Sequence, residues 1–138
     1  QKGGSDMSEE IKNIIWIDDE ADKLVSYSEA YSKRGISVQF IRTLTRAKRE
    51  LQERASADNL PDAILLDIMM PDIDGYEVCK HIKSSTRHEQ TKVVFLSAKS
   101  KKSDIDKGLN MGADLYVTKP FSTRHLMKEV ETLLNKES

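Results

Sequence analysis

The chain has 138 residues, 33% of them charged, with a formal net charge of −1. That length suits one domain with a single buried sheet and excludes a second large one, and the near-balance of charge argues against nucleic acid or a membrane as a direct partner. One cysteine, Cys79, excludes an internal disulfide and suits a reducing cytoplasm, and no apolar run approaches the roughly 18 residues that span a bilayer.

Residues 1–6 (QKGGSD), ahead of Met7, lack the apolar core of a signal peptide. They read as an expression scar or flexible tail, so the domain is expected over residues 7–138. Residues 14–17 (IIWI) form the first expected strand, halted by Asp18-Asp19-Glu20. A helix follows from about residue 21 to 34, with Leu24, Tyr27 or Ser28, and Tyr31 at helical spacing, and Gly35 just past its end. Residues 37–43 (SVQFIRT) alternate and are rich in β-formers, which predicts a second strand. Thr45 is expected to cap a charged helix running to about Ala57, with Ala47 and Leu51 facing inward.

Pro61 restarts the chain into residues 63–67 (AILLD), a continuous apolar run fit for a strand buried on both faces. A turn-rich loop comes next, in which Asp72 and Asp74 read as turn formers beside Pro71 and Gly75. A third helix over about 76–83 puts Val78 and Ile82 on one face. Residues 92–97 (KVVFLS) form a fourth strand, residues 103–111 a short helix ended by Gly112, and residues 115–118 a fifth strand. Ser122 caps a last helix whose core face is Leu126, Val130, Leu133 and Leu134.

Five strand–helix units in strict alternation imply a parallel sheet covered on both faces. In such sheets the ligand site lies beyond the carboxyl ends of the strands. Those ends carry Asp18 and Asp19, Asp67 and Ser97, and Lys119 follows the fifth strand. Three carboxylates on one rim repel each other above an apolar sheet, an arrangement that folding alone does not favour. A hard divalent cation such as Mg²⁺ resolves the repulsion through oxygen ligands. Asp67 can then serve as a nucleophile toward a phosphoryl group, with the Lys119 ammonium and the Ser97 hydroxyl on other phosphoryl oxygens. For Asp18 and Asp19 helix capping is the competing reading, and it suffices for Glu20. His81, His88 and His125 have no metal-ligand spacing, and Cys79 reads as a packing residue.

The segments IIWIDDE, ILLDIMMPDIDGYE, VVFLSA and GADLYVTKPF, in this order, resemble the bacterial two-component response-regulator receiver domain (CheY-like). The likeness runs from about residue 11 to 135. It implies a flavodoxin-like (βα)5 three-layer sandwich with parallel sheet order 2-1-3-4-5. It also implies Asp67 as phosphoacceptor, and a Mg²⁺ site from Asp18, Asp19, Asp67 and the backbone carbonyl of Met69. Ser97 and Tyr116 match the switch positions, Lys119 the lysine beside the phosphoryl group, and Lys119-Pro120 a peptide bond that is cis in relatives. Met69 and Lys99 occupy positions that tune dephosphorylation, and neither offers an acid or amide to orient water.

The implied function is a phosphorylation switch, not an enzyme beyond slow self-dephosphorylation. A histidine kinase or phosphotransfer protein would load Asp67. A downstream protein, or an output domain missing from this chain, would read a face built from the fourth helix, fifth strand and fifth helix. The domain would be cytoplasmic, and monomeric or a phosphorylation-promoted dimer. Three other readings compete. A phosphorylation-independent binding module would carry a damaged acidic site. A nucleotide or flavin binder would need a glycine loop where Asp18-Asp19-Glu20 stands. A phosphatase would need an acid or base near Asp67 to drive hydrolysis.

Overall fold

Lys12–Ile17 (β1) and Ile36–Ile41 (β2) pair in parallel, with Trp16 beside Phe40. β1 pairs on its other edge with Ala63–Asp67 (β3), which pairs with Lys92–Ser97 (β4), which pairs with Leu115–Thr118 (β5). The sheet is all parallel, as the alternation of strands and helices implies, and its order β2-β1-β3-β4-β5 is the one that the resemblance implies. The computed structural model describes residues 11–20, 25–71, 73–83 and 90–135. Leu24, Asp72, His88, residues 1–6 and the side chain of Tyr27 lie outside the described residues, and so does the start of the first helix.

Side chains alternate between two cores, one on each face. Ile14 and Trp16 of β1, Leu65 of β3, and Val94 and Leu96 of β4 face Val25–Ser32 (α1) and Thr123–Leu134 (α5), where Tyr31, Leu126 and Val130 meet them. Ile15, Ile17, Ile64, Leu66, Val93 and Phe95 face Leu44–Ser56 (α2), Gly75–Lys83 (α3) and Lys102–Asn110 (α4). Each fully buried Ile, Leu or Phe contributes about 1.5–3 kcal/mol relative to exposure. A run such as AILLD, buried at every position, is therefore stable only in the middle of the sheet, where β3 lies.

The strands β3, β4 and β5 have the predicted bounds; β1 begins at Lys12, two residues early, α4 lies one residue early over Lys102–Asn110, and other boundaries move for local reasons. β2 ends at Ile41, short of the expected 43, because Thr43 is the N-cap of α2: its hydroxyl accepts the Arg46 N–H at 3.2 Å. Thr43, not Thr45, is thus the cap, and the earlier start sets the half-buried Leu44 against the second core. α3 begins at Gly75, one residue early, because the Asp74 carboxylate accepts the N–H groups of Tyr76 and Glu77. Asp74, expected as a turn former, is thus also the cap of α3. Gly35 (φ 79°) and Gly112 (φ 115°) close α1 and α4 in the left-handed region that glycine enters without strain.

Cys79 is buried among the α3 packing residues, and burial pushes its thiol up to about 11. A thiol reagent near neutral pH should therefore label the native protein at least ~100-fold more slowly than the urea-unfolded chain, as a colorimetric assay would read. Comparable rates would mean that α3 opens readily.

Candidate functional site

The carboxyl end of the sheet brings the predicted groups together because each sits one step beyond a ladder that the neighbouring strand holds in place. The Asp18 N–H donates to the Ile41 carbonyl at 2.9 Å, which carries the β1 geometry one residue further. Period-two alternation then turns the Asp18 side chain inward, where it is 1% exposed, while Asp19 is exposed. One Asp18 oxygen is fixed by the Glu20 N–H at 2.9 Å. Asp67 ends β3 and is 6% exposed. Its Oδ1 accepts the Met69 N–H at 2.9 Å, which sets the rotation of the carboxylate. Ser97 ends β4 and is fully buried; its Oγ accepts the Lys99 N–H at 3.1 Å. The Lys119 N–H donates to the Ser97 carbonyl at 2.8 Å, so the β4–β5 ladder delivers the lysine to the rim. The Lys119-Pro120 bond is cis, as the resemblance implies.

The Lys119 ammonium lies between the two buried acids, 3.3 Å from Asp18 Oδ2 and 3.2 Å from Asp67 Oδ2. Burial alone would lower its pKa, but the attraction of Asp18 and then Asp67 outweighs this and holds it above the ordinary 10.5. A third carboxylate joins the two that Lys119 meets: a ligand oxygen from each of Asp18, Asp19 and Asp67 lies within 4.8 Å of the others. An all-oxygen set this tight, with an excess of negative charge and two members buried, fits a hard divalent cation such as Mg²⁺.

A model of the response regulator receiver domain matches residues 14–131. The chain belongs to the response-regulator receiver family. Among curated relatives, it is 33% identical over 126 residues to the phosphate regulon transcriptional regulatory protein PhoB of Rhizobium meliloti, covering 91% of this chain and 53% of that protein. It is 47% identical over 76 residues to the nisin biosynthesis regulatory protein NisR of Lactococcus lactis, covering 55% of this chain and 32% of that protein. The chain therefore spans about half or less of the length of these relatives. A two-component response regulator from Clostridium difficile superposes with a TM-score of 0.75 at 26% identity, over 91% of this chain and 97% of that one.

Receivers are signalling domains, and this receiver keeps the carboxylates, hydroxyl and ammonium of the sequence reading on one rim. Tyr116 lies earlier on β5, three residues before Lys119, half-buried, with its hydroxyl donating to the Lys99 carbonyl at 2.8 Å. Its ring borders a cleft of about 370 Å³ that Ser97, Met69, Ile73 and Met111 also line. His81 and His125 are exposed and stand apart from the acidic cluster. Two features escape the sequence reading. Lys119, expected to meet a phosphoryl oxygen, is also the counter-ion of Asp18 and Asp67. Gly108 lies inside α4 and meets the Tyr116 ring; its only signal in the sequence is a glycine within a helix, where glycine is unfavourable.

Proposed function

We propose that Asp67 accepts a phosphoryl group from a histidine kinase or phosphotransfer protein, and that the modified receiver changes which protein surface it engages. The observation that carries this reading is the ammonium of Lys119 held 3.2 Å from a buried aspartate beside two further carboxylates. A carboxylate oxygen of Asp67 attacks phosphorus, and the bond from phosphorus to the donor's leaving group breaks with its electron pair on that group. Asp18, Asp19, Asp67 and the Met69 carbonyl would hold Mg²⁺, which when bound neutralises charge on the phosphoryl oxygens. Lys119 screens a second oxygen, and the Ser97 hydroxyl rotates from its Lys99 N–H bond to donate to a third. Tyr116 then moves into the cleft beside Ser97, and α4, β5 and α5 present the altered face, a population shift of a few kcal/mol.

The domain so read covers residues 7–138. It works in the cytoplasm, alone or joined to an output domain, as a monomer or as a dimer that phosphorylation promotes. No helix among the described residues is long and apolar enough to cross a membrane.

Acetyl phosphate tests the reading directly. A Mg²⁺-dependent mass gain of one phosphoryl group is expected, absent in Asp67→Asn. Gain in that variant would move the site, and no gain from either acetyl phosphate or a panel of histidine kinases would sink the reading. The phosphoryl group should persist through desalting and mass analysis, since Met69 and Lys99 offer nothing to activate water. Loss within the mixing time would contradict that expectation.

A further inference from the structure

Lys119 belongs to the segment after β5, three strand steps from β1 in the sheet, yet its ammonium reaches Asp18 at the end of β1. Its backbone is still tied to β4, where its N–H donates to the Ser97 carbonyl at 2.8 Å. Two residues on, the ring of Phe121 lies 6.3 Å from that of Trp16, centroid to centroid, at an interplanar angle of 45°. That separation is within the range of aromatic contact. Trp16 is fully buried in the first core, and Phe121 is half-buried against that core. Trp16 stands two residues before Asp18, and Lys119 two residues before Phe121. The segment and the β1 end are thus joined by two contacts, the ion pair at the rim and the ring pair deeper in the core. Trp16 also packs on Phe40 of β2, at 5.3 Å, so a neighbouring strand braces the ring on which Phe121 rests.

We propose that Phe121 is a positioning residue for Lys119: its ring, seated on Trp16, holds the segment after β5 where the ammonium meets Asp18 and Asp67 together. A lysine ammonium sits on a flexible four-carbon stem. It keeps a place between two acids only if the backbone that carries it is fixed, because each free torsion adds entropy to the alternatives. Without the ring, the segment keeps its tie to Ser97 but loses its seat on β1. The ammonium then turns to solvent, to which 27% of the side chain is already open. The rival reading is that Phe121 only seats α5, which follows directly behind the Ser122 cap. α5 has anchors of its own in the fully buried Leu126 and Val130, so loss of the Phe121 ring should leave the helix in place. The consequence for phosphoryl acceptance rests on the phosphoacceptor reading; the consequence for the ion pair does not.

Double-variant cycles on the full chain separate the two roles. Without metal, Lys119→Met should lower the urea midpoint of the wild-type chain. In a Phe121→Ala background the same substitution should lower it by less than about half as much, because the ammonium has already left the acids. Equal shifts in the two backgrounds overturn the proposal, since a ring that merely packs adds to stability independently of Lys119. No shift in the wild-type background overturns it as well, because there is then no ion pair to position. Acetyl phosphate with Mg²⁺ gives the second arm. Loading of Asp67 should slow roughly 10-fold in Phe121→Ala, and Phe121→Ala should add no further slowing to Lys119→Met. The same slowing in both backgrounds means that Phe121 acts through the fold and not through the lysine, which overturns the proposal. If neither acetyl phosphate nor a panel of histidine kinases loads the wild-type chain, the phosphoacceptor reading fails, while the metal-free cycle still decides the role of Phe121. If Phe121→Ala does not fold, Phe121→Val, which shortens the side chain without emptying its place, takes its position in both cycles and is read in the same way.

Discussion

Lys119→Met is expected to slow phosphoryl acceptance by about 100-fold and to destabilise the Mg²⁺-free protein by about 2 kcal/mol. Both effects follow from one geometry. The ammonium meets Asp18 at 3.3 Å and Asp67 at 3.2 Å, and the two acids are 1% and 6% exposed. Methionine keeps the length and removes the charge, which strands two carboxylates in a poor solvent. Removing one partner of a fully buried ion pair costs about 3–5 kcal/mol, and the part-exposed lysine here justifies the lower figure.

The pH dependence has a definite sign. Burial opposes the Lys119 charge, the two acids more than offset it, and the folded pKa lies above the ordinary 10.5. A raised amine contributes stability that is complete below the unfolded value and lost as pH climbs through the folded one. The gap in unfolding free energy between wild type and Lys119→Met should therefore be flat through neutral pH and shrink on the alkaline side of about 10.5. Added Mg²⁺ should narrow the gap at neutral pH, because a cation among the same oxygens replaces the missing charge. Urea unfolding with and without Mg²⁺ measures both effects. Equal midpoints in the metal-free proteins would mean that solvent already relaxes the acids and that Lys119 is not their counter-ion.

The parts of this fold that are legible in the sequence are those governed by burial alone. β3, β4 and β5 are apolar runs ended by a polar group or a turn, and their limits follow from composition. The start of α2 is not legible in this way. Thr43 and Thr45 are both competent caps, and only the tertiary contact of Leu44 with the second core chooses between them. The site divides similarly. The rule that ligands gather at strand ends selects Asp18, Asp19, Asp67, Ser97 and Lys119 from the chain order alone. It does not say which of the two adjacent acids turns inward. That is decided by the bond from the Asp18 N–H to Ile41, which extends the alternation of β1 by one residue. Gly108 marks where sequence ceases to inform: a glycine within a helix signals close approach, and the approaching group, Tyr116, is visible only in three dimensions.

Asp19→Asn separates a site built for a cation from one built for folding. Asp19 is exposed, yet it offers a ligand oxygen within 4.8 Å of those of Asp18 and Asp67. In the metal-free protein it adds a third negative charge where one ammonium already serves two. Neutralising it should leave stability unchanged or raise it by up to about 1 kcal/mol, less than a buried like-charge pair would give because water screens an exposed carboxylate. Mg²⁺ affinity should fall by at least about 10-fold, since a hard cation is held mainly by the number and charge of its oxygen ligands. Thermal unfolding across a Mg²⁺ titration reads both quantities, because a ligand bound only by the folded state raises the midpoint as its concentration passes its dissociation constant. A variant that is more stable without metal and less responsive to it would show that Asp19 opposes folding and is there for the cation. If instead the variant is destabilised and its Mg²⁺ response is intact, Asp19 is a structural acid at the start of the chain after β1, and the cation must be held by Asp18 and Asp67 alone.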